Sequence, residues 1–292
     1  MKNHPDNETV PVSVVILTLN EEQNLPACLA SVRDWAKQVF VVDAGSSDRT
    51  REIAGQVGAT VVEHAFETHS AQWRWALENL PLKTDWVLAL DADHRVTPEL
   101  AQEISDLDPL ALENVEGIYI KRRQVFRDHW IKHGGYYPKY LLKMFRADKV
   151  IIDSRDLVDH HFYVAGRVQK LHHDLIEANK KEDDISFWIE KHNRYATLLA
   201  QEEHRSNHSQ REPLIRPSLL GTPDQQTLML KHIWRRLPLF VRPFLYFLYR
   251  YIVRLGFLDG KEGAIFHFLQ AFWFRLLVDI KLDELQRAES RS

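Results

Sequence analysis

Residues Trp86–Leu100 read WVLALDADHRVTPEL, a short apolar run that ends in two carboxylates one residue apart, Asp91 and Asp93. An apolar run of this length bounded by polar residues reads as a buried strand. Alternate residues on a strand share a face, so both acids point one way and Ala92 turns from them. Two like charges this close disfavour each other's ionised form unless a cation lies between them. The pair then reads as a site for a hard cation with oxygen ligands, of the kind held against phosphates. It also reads as a solvated strand end running into a helix, with Thr97-Pro98-Glu99 as the start signal. The stretch alone leaves both open.

Upstream, strand-like and helix-like segments alternate. VSVVILTL (Val12–Leu19) is a near-continuous β-rich run, as in a parallel strand buried on both faces. EEQNLPACLASVRDW follows with helical spacing, then VFVVDAG as strand and SSDRTREIAGQVG as helix, with Ser46 or Ser47 as cap. TVVEHAF is a third strand and SAQWRWALENL a third helix. Strand–helix units in succession predict an α/β fold, a mostly parallel sheet with helices on both faces. Ligands of such sheets gather beyond the carboxyl ends of the strands. Asn20, Asp43 and the Asp91/Asp93 pair all fall there.

The 292 residues are 45% apolar and 27% charged with a net charge of −3, a folded soluble composition with no global call for nucleic acid. One cysteine, Cys28, excludes a disulfide framework and a cysteine-rich zinc site. The polar N-terminus has no apolar core of a signal peptide, and no uncharged apolar run reaches spanning length. The expected compartment is the cytoplasm. No Gly-rich dinucleotide fingerprint or phosphate loop follows the first strand; TLNEEQNL stands there instead.

After about Asp108, GIYIKRRQVFRD, KYLLKMFRAD and FYVAGRVQKLHHD read as strands, and EDDISFWIEKHNRYATLLAQEE as an amphipathic helix. The expected organisation is a polar tail over 1–11, a catalytic domain over 12–205, a linker over 206–226 and aromatic, basic helices over 227–285.

PVSVVILTLNEEQNLPACLASV, VFVVDAGSSDRTREIA and WVLALDADHRVTPEL together resemble three successive motifs of the family 2, GT-A fold glycosyltransferases. HGGYYPKYLLKMFR and KHNRYATLLAQEE further resemble the branch that builds bacterial lipopolysaccharide core and exopolysaccharide. The resemblance implies a metal-dependent, inverting transferase moving a sugar from a nucleotide donor, UDP-linked, to a lipid-linked or cell-envelope glycan. It implies that Thr18, Asn20 and Glu21 line the nucleoside pocket and that Asp43 contacts base or ribose. Asp91 and Asp93 would hold Mg²⁺ or Mn²⁺ against the donor diphosphate, with His160 or His161 as a further ligand. Three departures stand out. Ala44 replaces the second Asp of the second motif. Arg74, a donor contact or a surface arginine, stands where an Asn is common. Val158-Asp159-His160 replaces a Val-His-Glu.

Inversion requires a base for the acceptor hydroxyl; Asp159 is the first choice, with Glu182, Asp183 and Asp184 as rivals or as helix-start charges. Tyr136 and Tyr137 offer aromatic faces to an acceptor sugar, while Arg146, Lys191 and Arg194 could neutralise phosphate. A sugar-1-phosphate nucleotidyltransferase and an inactive membrane-surface scaffold are the alternatives. Leu228–Leu282 mixes aromatics with arginines, and LKHIWRRLPLFVRPFLYFLYRYIVRLGFL has no acidic residue. It is expected to lie on an anionic membrane at the inner face of the cytoplasmic membrane without crossing it, its arginines reaching headgroups. Packing of these helices on the protein itself is the competing expectation.

Overall fold

The computed structural model describes residues 10–153, 161–208 and 214–291. In chain order the elements are β1 (Val10–Thr18), α1 (Leu25–Ala30), β2 (Ala36–Asp43), α2 (Thr50–Gln56), β3 (Thr60–Glu63), α3 (His69–Asn79), β4 (Trp86–Asp91), β5 (His94–Val96), α4 (Pro98–Ser105) and β6 (Val115–Phe126). There follow β7 (His129–Ile131), β8 (Lys139–Arg146), β9 (Ile151–Ile152), β10 (Phe162–Tyr163), β11 (Arg167–Ala178), α5 (Ile185–His208), α6 (Pro223–Arg235), α7 (Arg242–Leu248), α8 (Gly260–His267) and α9 (Phe274–Glu289). The described chain forms two compact units. The first takes residues up to Arg122 with Tyr140–Ile152 and His161–Lys180; the second takes Arg123–Lys139 and the chain from Lys181 on. These units cut the chain differently from the expected 12–205, 206–226 and 227–285, since α5 clusters with the C-terminal helices.

In the first unit the sheet order is β3-β2-β1-β4-β8-β6-β11-β5. β1 is parallel to both β2 and β4, β2 is parallel to β3, and β8 turns antiparallel to β4. The alternation of β1 explains its near-continuous apolar sequence. Val12, Val14 and Ile16 enter one core with Leu25, Cys28 and Leu29 of α1 and Leu100 and Ile104 of α4. Val15 enters the other with Trp73 and Ala76 of α3 and Phe145 of β8. A strand buried on both sides has no polar face to show.

Local signals resolve in two ways. Thr97 caps α4 as its sequence suggests, accepting the Leu100 N–H at 3.2 Å. The serine cap expected for α2 is absent: the N-cap position is Arg49, with no side-chain cap bond. Ser46 donates its hydroxyl to Asp43 instead. The Asp91/Asp93 spacing also needs correcting. β4 stops at Asp91, and Ala92–Asp93 form a turn into β5 rather than the end of a strand. Ala92 is buried and both acids are half-buried.

In the second unit, Trp188, Ala196 and Ala200 of α5 pack with Phe274, Val278 and Leu282 of α9, and with Phe126, Ile131 and Tyr136. Arg242 is wholly buried. Its Nε donates to Asp279 Oδ1 at 2.8 Å, and Nη1 to Glu203 Oε1 at 2.7 Å, while Trp234 lies against the guanidinium at 4.9 Å. The expectation that this arginine reaches a lipid headgroup is therefore not met. Taking one partner from a buried ion pair leaves the other charge uncompensated. Arg242→Met should cost about 3–5 kcal/mol of stability by urea unfolding. The triple change Arg242→Met, Asp279→Leu, Glu203→Met should recover most of that loss.

Candidate active site

Strand register brings the expected donor residues side by side. Thr18 is opposite Asp43 across β1 and β2, and Leu17 is opposite Asp91 across β1 and β4. Thr18, Asp43 and Asp91 thus end three adjacent parallel strands in one row, where such sheets take their ligands.

Asp43 has zero exposure, and donors meet both of its oxygens. Thr18 Oγ1 donates to Oδ1 at 2.9 Å and Ser46 Oγ at 2.5 Å. The Ser46 and Gly45 amides donate to Oδ2 at 2.7 and 3.1 Å. These four donors fix the carboxylate at the strand end where the contact with base or ribose is expected.

The loops after β1 and β2 are latched together. The Asn20 amide donates to Ser46 Oγ at 2.8 Å, and Asn20 Oδ1 accepts from the Ser47 amide at 2.9 Å. The Glu21 amide donates to Thr50 Oγ1 at 2.7 Å. Asn20 has a φ of 55°, a left-handed conformation that asparagine tolerates better than most residues. Its side chain is exposed on this edge, and Glu21 Oε2 accepts from Asn24 Nδ2 at 2.8 Å. Arg74 is exposed on α3.

Sequence-distant partners compensate the acid pair. Lys143 of β8, itself buried, donates Nζ to Asp91 Oδ2 at 3.0 Å. Asn179 Nδ2 donates to Asp93 Oδ2 at 3.1 Å. The Asp91 amide donates to His94 Nδ1 at 2.9 Å, which puts the ring proton on Nε2, 3.3 Å from Glu177 Oε2. Arg122 Nη1 also donates to Glu177 Oε2, at 2.8 Å. Burial would raise the Glu177 carboxyl, but the Arg122 guanidinium and the His94 N–H hold it well below the usual carboxylate range. None of Lys143, His94, Glu177, Arg122 or Asn179 figured among the expected site residues. A lysine between Leu142 and Met144 in an apolar strand was the one local signal available.

Among the described residues no three of His, Cys, Asp and Glu gather as a metal-binding group. Two carboxylates on one turn fit a hard cation that keeps waters and shares phosphate oxygens, not a cage made by the protein alone. The expected third ligand His160 and the expected base Asp159 lie outside the described residues.

Several other expectations resolve in the second unit. Asp184 caps α5, accepting the Ser186 amide at 2.8 Å, and Glu182 Oε1 accepts from Lys191 Nζ at 2.5 Å. Asp183 is half-buried in a 3-10 turn before α5. Tyr136 does not offer its ring to a sugar: it is buried, edge-on to Phe266 at 4.8 Å, with the Arg250 guanidinium over its face at 3.9 Å. Tyr137 is half-buried, edge-on to Trp130 at 5.1 Å. In the first unit, Arg146 is used structurally, donating to the Val115 and Leu112 carbonyls at 3.0 Å each.

A mostly parallel sheet with latched loops and an acid pair at its carboxyl edge is an α/β arrangement of the kind that takes ligands beyond its strand ends. Residues 13–173 match the family described as Glycosyl transferase family 2, more than half the chain, and the protein belongs to that family. An uncharacterized glycosyltransferase of Rickettsia bellii is 38% identical over 96 residues, 33% of this chain and 32% of that protein. The match therefore spans about a third of such a relative's length. The lipopolysaccharide core biosynthesis glycosyltransferase LpsC of Rhizobium meliloti is 24% identical over 281 residues, 90% of this chain and 91% of that protein. Glucosyl-3-phosphoglycerate synthase from Mycobacterium tuberculosis, crystallised with Mn²⁺, UDP and glucosyl-3-phosphoglycerate, superposes with a TM-score of 0.31 at 23% identity over 39% of this chain and 44% of that one.

The Glu177 network makes a pH prediction. Because the folded carboxyl is more acidic than the unfolded one, its contribution is full above the ordinary range near pH ~4.3 and is lost as pH falls below it. Glu177→Gln should destabilise by about 2 kcal/mol at pH 7, as loss of a charged hydrogen bond does. The gap to wild type should narrow steadily below about pH 4 in acid-unfolding curves.

Proposed function

We propose that the chain transfers a sugar, with inversion, from a UDP-linked donor to a glycan carried on a lipid in the cell envelope. The observation that carries this reading is the acid pair Asp91/Asp93 at the end of β4, beside the latched loops of β1 and β2. The latch leaves Asn20 exposed at that edge as a nucleoside contact, with Thr18 and Asp43 holding the loop from beneath. Arg74 is a second donor contact in this reading.

Asp91 and Asp93 would hold Mg²⁺ or Mn²⁺ together with the donor diphosphate. When bound, the ion supplies charge neutralisation for the departing nucleoside diphosphate. Lys143 fixes the Asp91 carboxylate from behind, and His94 fixes its backbone, so the acid is preorganised before donor arrives. Asp159 takes the acceptor proton, with Asp183 as the alternative base, because Asp184 is engaged in capping α5. Tyr137 remains the aromatic candidate for the acceptor sugar.

Similarity to a lipopolysaccharide core transferase over nine-tenths of the chain supports a lipid-borne acceptor and work at the inner face of the cytoplasmic membrane. A sugar-1-phosphate nucleotidyltransferase is disfavoured by TLNEEQNL, which has no Gly-rich loop with a lysine. An inactive scaffold is disfavoured by the retained acids and the partners, Lys143 and Asn179, that hold them.

UDP with Mn²⁺ should raise the melting temperature by roughly 5 °C at a hundredfold excess over Kd, from about 2.7 kcal/mol of linkage. Neither component alone should do so. Asp93→Ala should fold normally, lose the metal-dependent shift and lose transfer, and Asp91→Asn, which keeps an acceptor for the buried Lys143, should do the same. Absence of any response to a panel of nucleoside diphosphates would sink the transferase reading. Asp159→Asn should keep the shift and lose transfer; if Asp183→Asn does so instead, the base is Asp183.

A further inference from the structure

The segment from α7 through the following π-helical turn, Tyr249–Val253, is inside out for a helix facing water. Arg242, Tyr246 and Arg250, spaced four apart, turn inward: Arg242 to Asp279 and Glu203, Arg250 to the faces of Tyr136 at 3.9 Å and Tyr246 at 5.1 Å. Phe244, Leu245, Leu248, Ile252 and Val253 lie outward and are 47–66% exposed. Leu255, Phe257, Leu258 and Phe268 extend the same kind of exposed apolar surface.

The charges around this surface select its occupant. No acidic residue occurs from Gln225 to Leu258, and Asp259 is buried against His133, 2.6 Å from Nδ1. The exposed charges from Gln225 to Lys261 are Arg236, Arg254 and Lys261, all basic, and Glu262 next to them is half-buried. A two-fold contact with a second copy would set this basic patch against itself. A bilayer surface carrying anionic headgroups answers both properties, taking the apolar side chains below the headgroups and the cations among them.

We infer that the outward face of α7 and its π-turn is the surface by which the protein docks on an anionic lipid bilayer, inserting Phe244, Leu248 and Ile252. The arginines buried behind this face orient it and touch no lipid. The helical run Gly256–Glu289 holds a stretch apolar and long enough to cross a membrane, with 39% of it buried. Phe274, Val278 and Leu282 of that run are committed to the core with α5, so docking is peripheral. The inference rests on the lipid-borne acceptor only for its purpose.

The test floats the full chain with phosphatidylcholine–phosphatidylglycerol vesicles, and scores the UDP and Mn²⁺ thermal shift on the same samples. Wild type should float. Phe244→Ser/Leu248→Ser/Ile252→Ser should bind roughly tenfold less or weaker still, as interfacial affinity follows buried apolar area, with its thermal shift intact. An Ile252→Cys variant carrying a polarity-sensitive dye should shift to the blue on adding vesicles, while the same dye at Ile280→Cys on α9 should not. Cys28, the native thiol, is buried and stays unlabelled. A wild type that stays in solution, a triple variant that floats unchanged, or a dye at residue 252 blind to vesicles overturns the docking surface. So does a wild-type dimer made monomeric by the triple change without flotation. Loss of the nucleotide shift in wild type overturns the transferase reading alone.

Discussion

A carboxylate sealed from water must be answered by donors on both oxygens, and the carboxyl edge of the parallel strands is arranged around that demand at Asp43. Register supplies Thr18 from the neighbouring strand. The chain then turns at Gly45, whose φ of 90° suits glycine, so that two successive amides face Oδ2. Ser46, having given its hydroxyl to Asp43, accepts the Asn20 amide and so cannot cap α2. Asn20 in turn takes the Ser47 amide. One buried charge thus dictates the path of two loops, and the exposed side chains on those loops inherit their positions from it.

The two halves of the sheet divide the electrostatic work. Parallel strands end in the acids; strands paired beyond β4 return the compensating groups. Lys143 is tolerated in a buried strand because Asp91 lies 3.0 Å from its ammonium. Glu177 is tolerated at the end of β11 because Arg122 and His94 meet it. A site built this way holds its acids in place before ligand arrives, which is what electrostatic preorganisation requires.

Much of this was legible in the chain. The β-rich run of β1, the alternation of segments and the position of Asp91 beyond an apolar strand all follow from periodicity, which is a local property. The counter-charges were not legible. Lys143 is 52 residues from Asp91, and Glu177 is 83 from His94; only the folded sheet makes either a neighbour. Asp43 stands at a strand end as the pattern predicts, but its burial and its four donors were not legible, because exposure is not written in a residue's type. Ser46 was misread as a cap for the same reason: a hydroxyl near a helix start has more than one acceptor to choose from. Composition marked the aromatic, basic C-terminal segment as unusual yet could not say which side faced out.

That orientation is decided by competing magnitudes. Each outward side chain of α7 and its π-turn is about half exposed, and covering it would gain roughly 1 kcal/mol, so five together favour rolling the helix inward by about 5 kcal/mol. Rolling would pull Arg242 from Asp279 and Glu203, and breaking a buried pair costs about 3–5 kcal/mol by itself. It would also lift Arg250 from Tyr136, a desolvated cation–π contact worth about 2 kcal/mol. The inward arginines therefore outweigh the outward apolar groups, but by little. A helix held this way keeps an apolar face toward solvent as a consequence of where its charges are paired. Any medium less polar than water placed against that face adds to the same arrangement instead of opposing it.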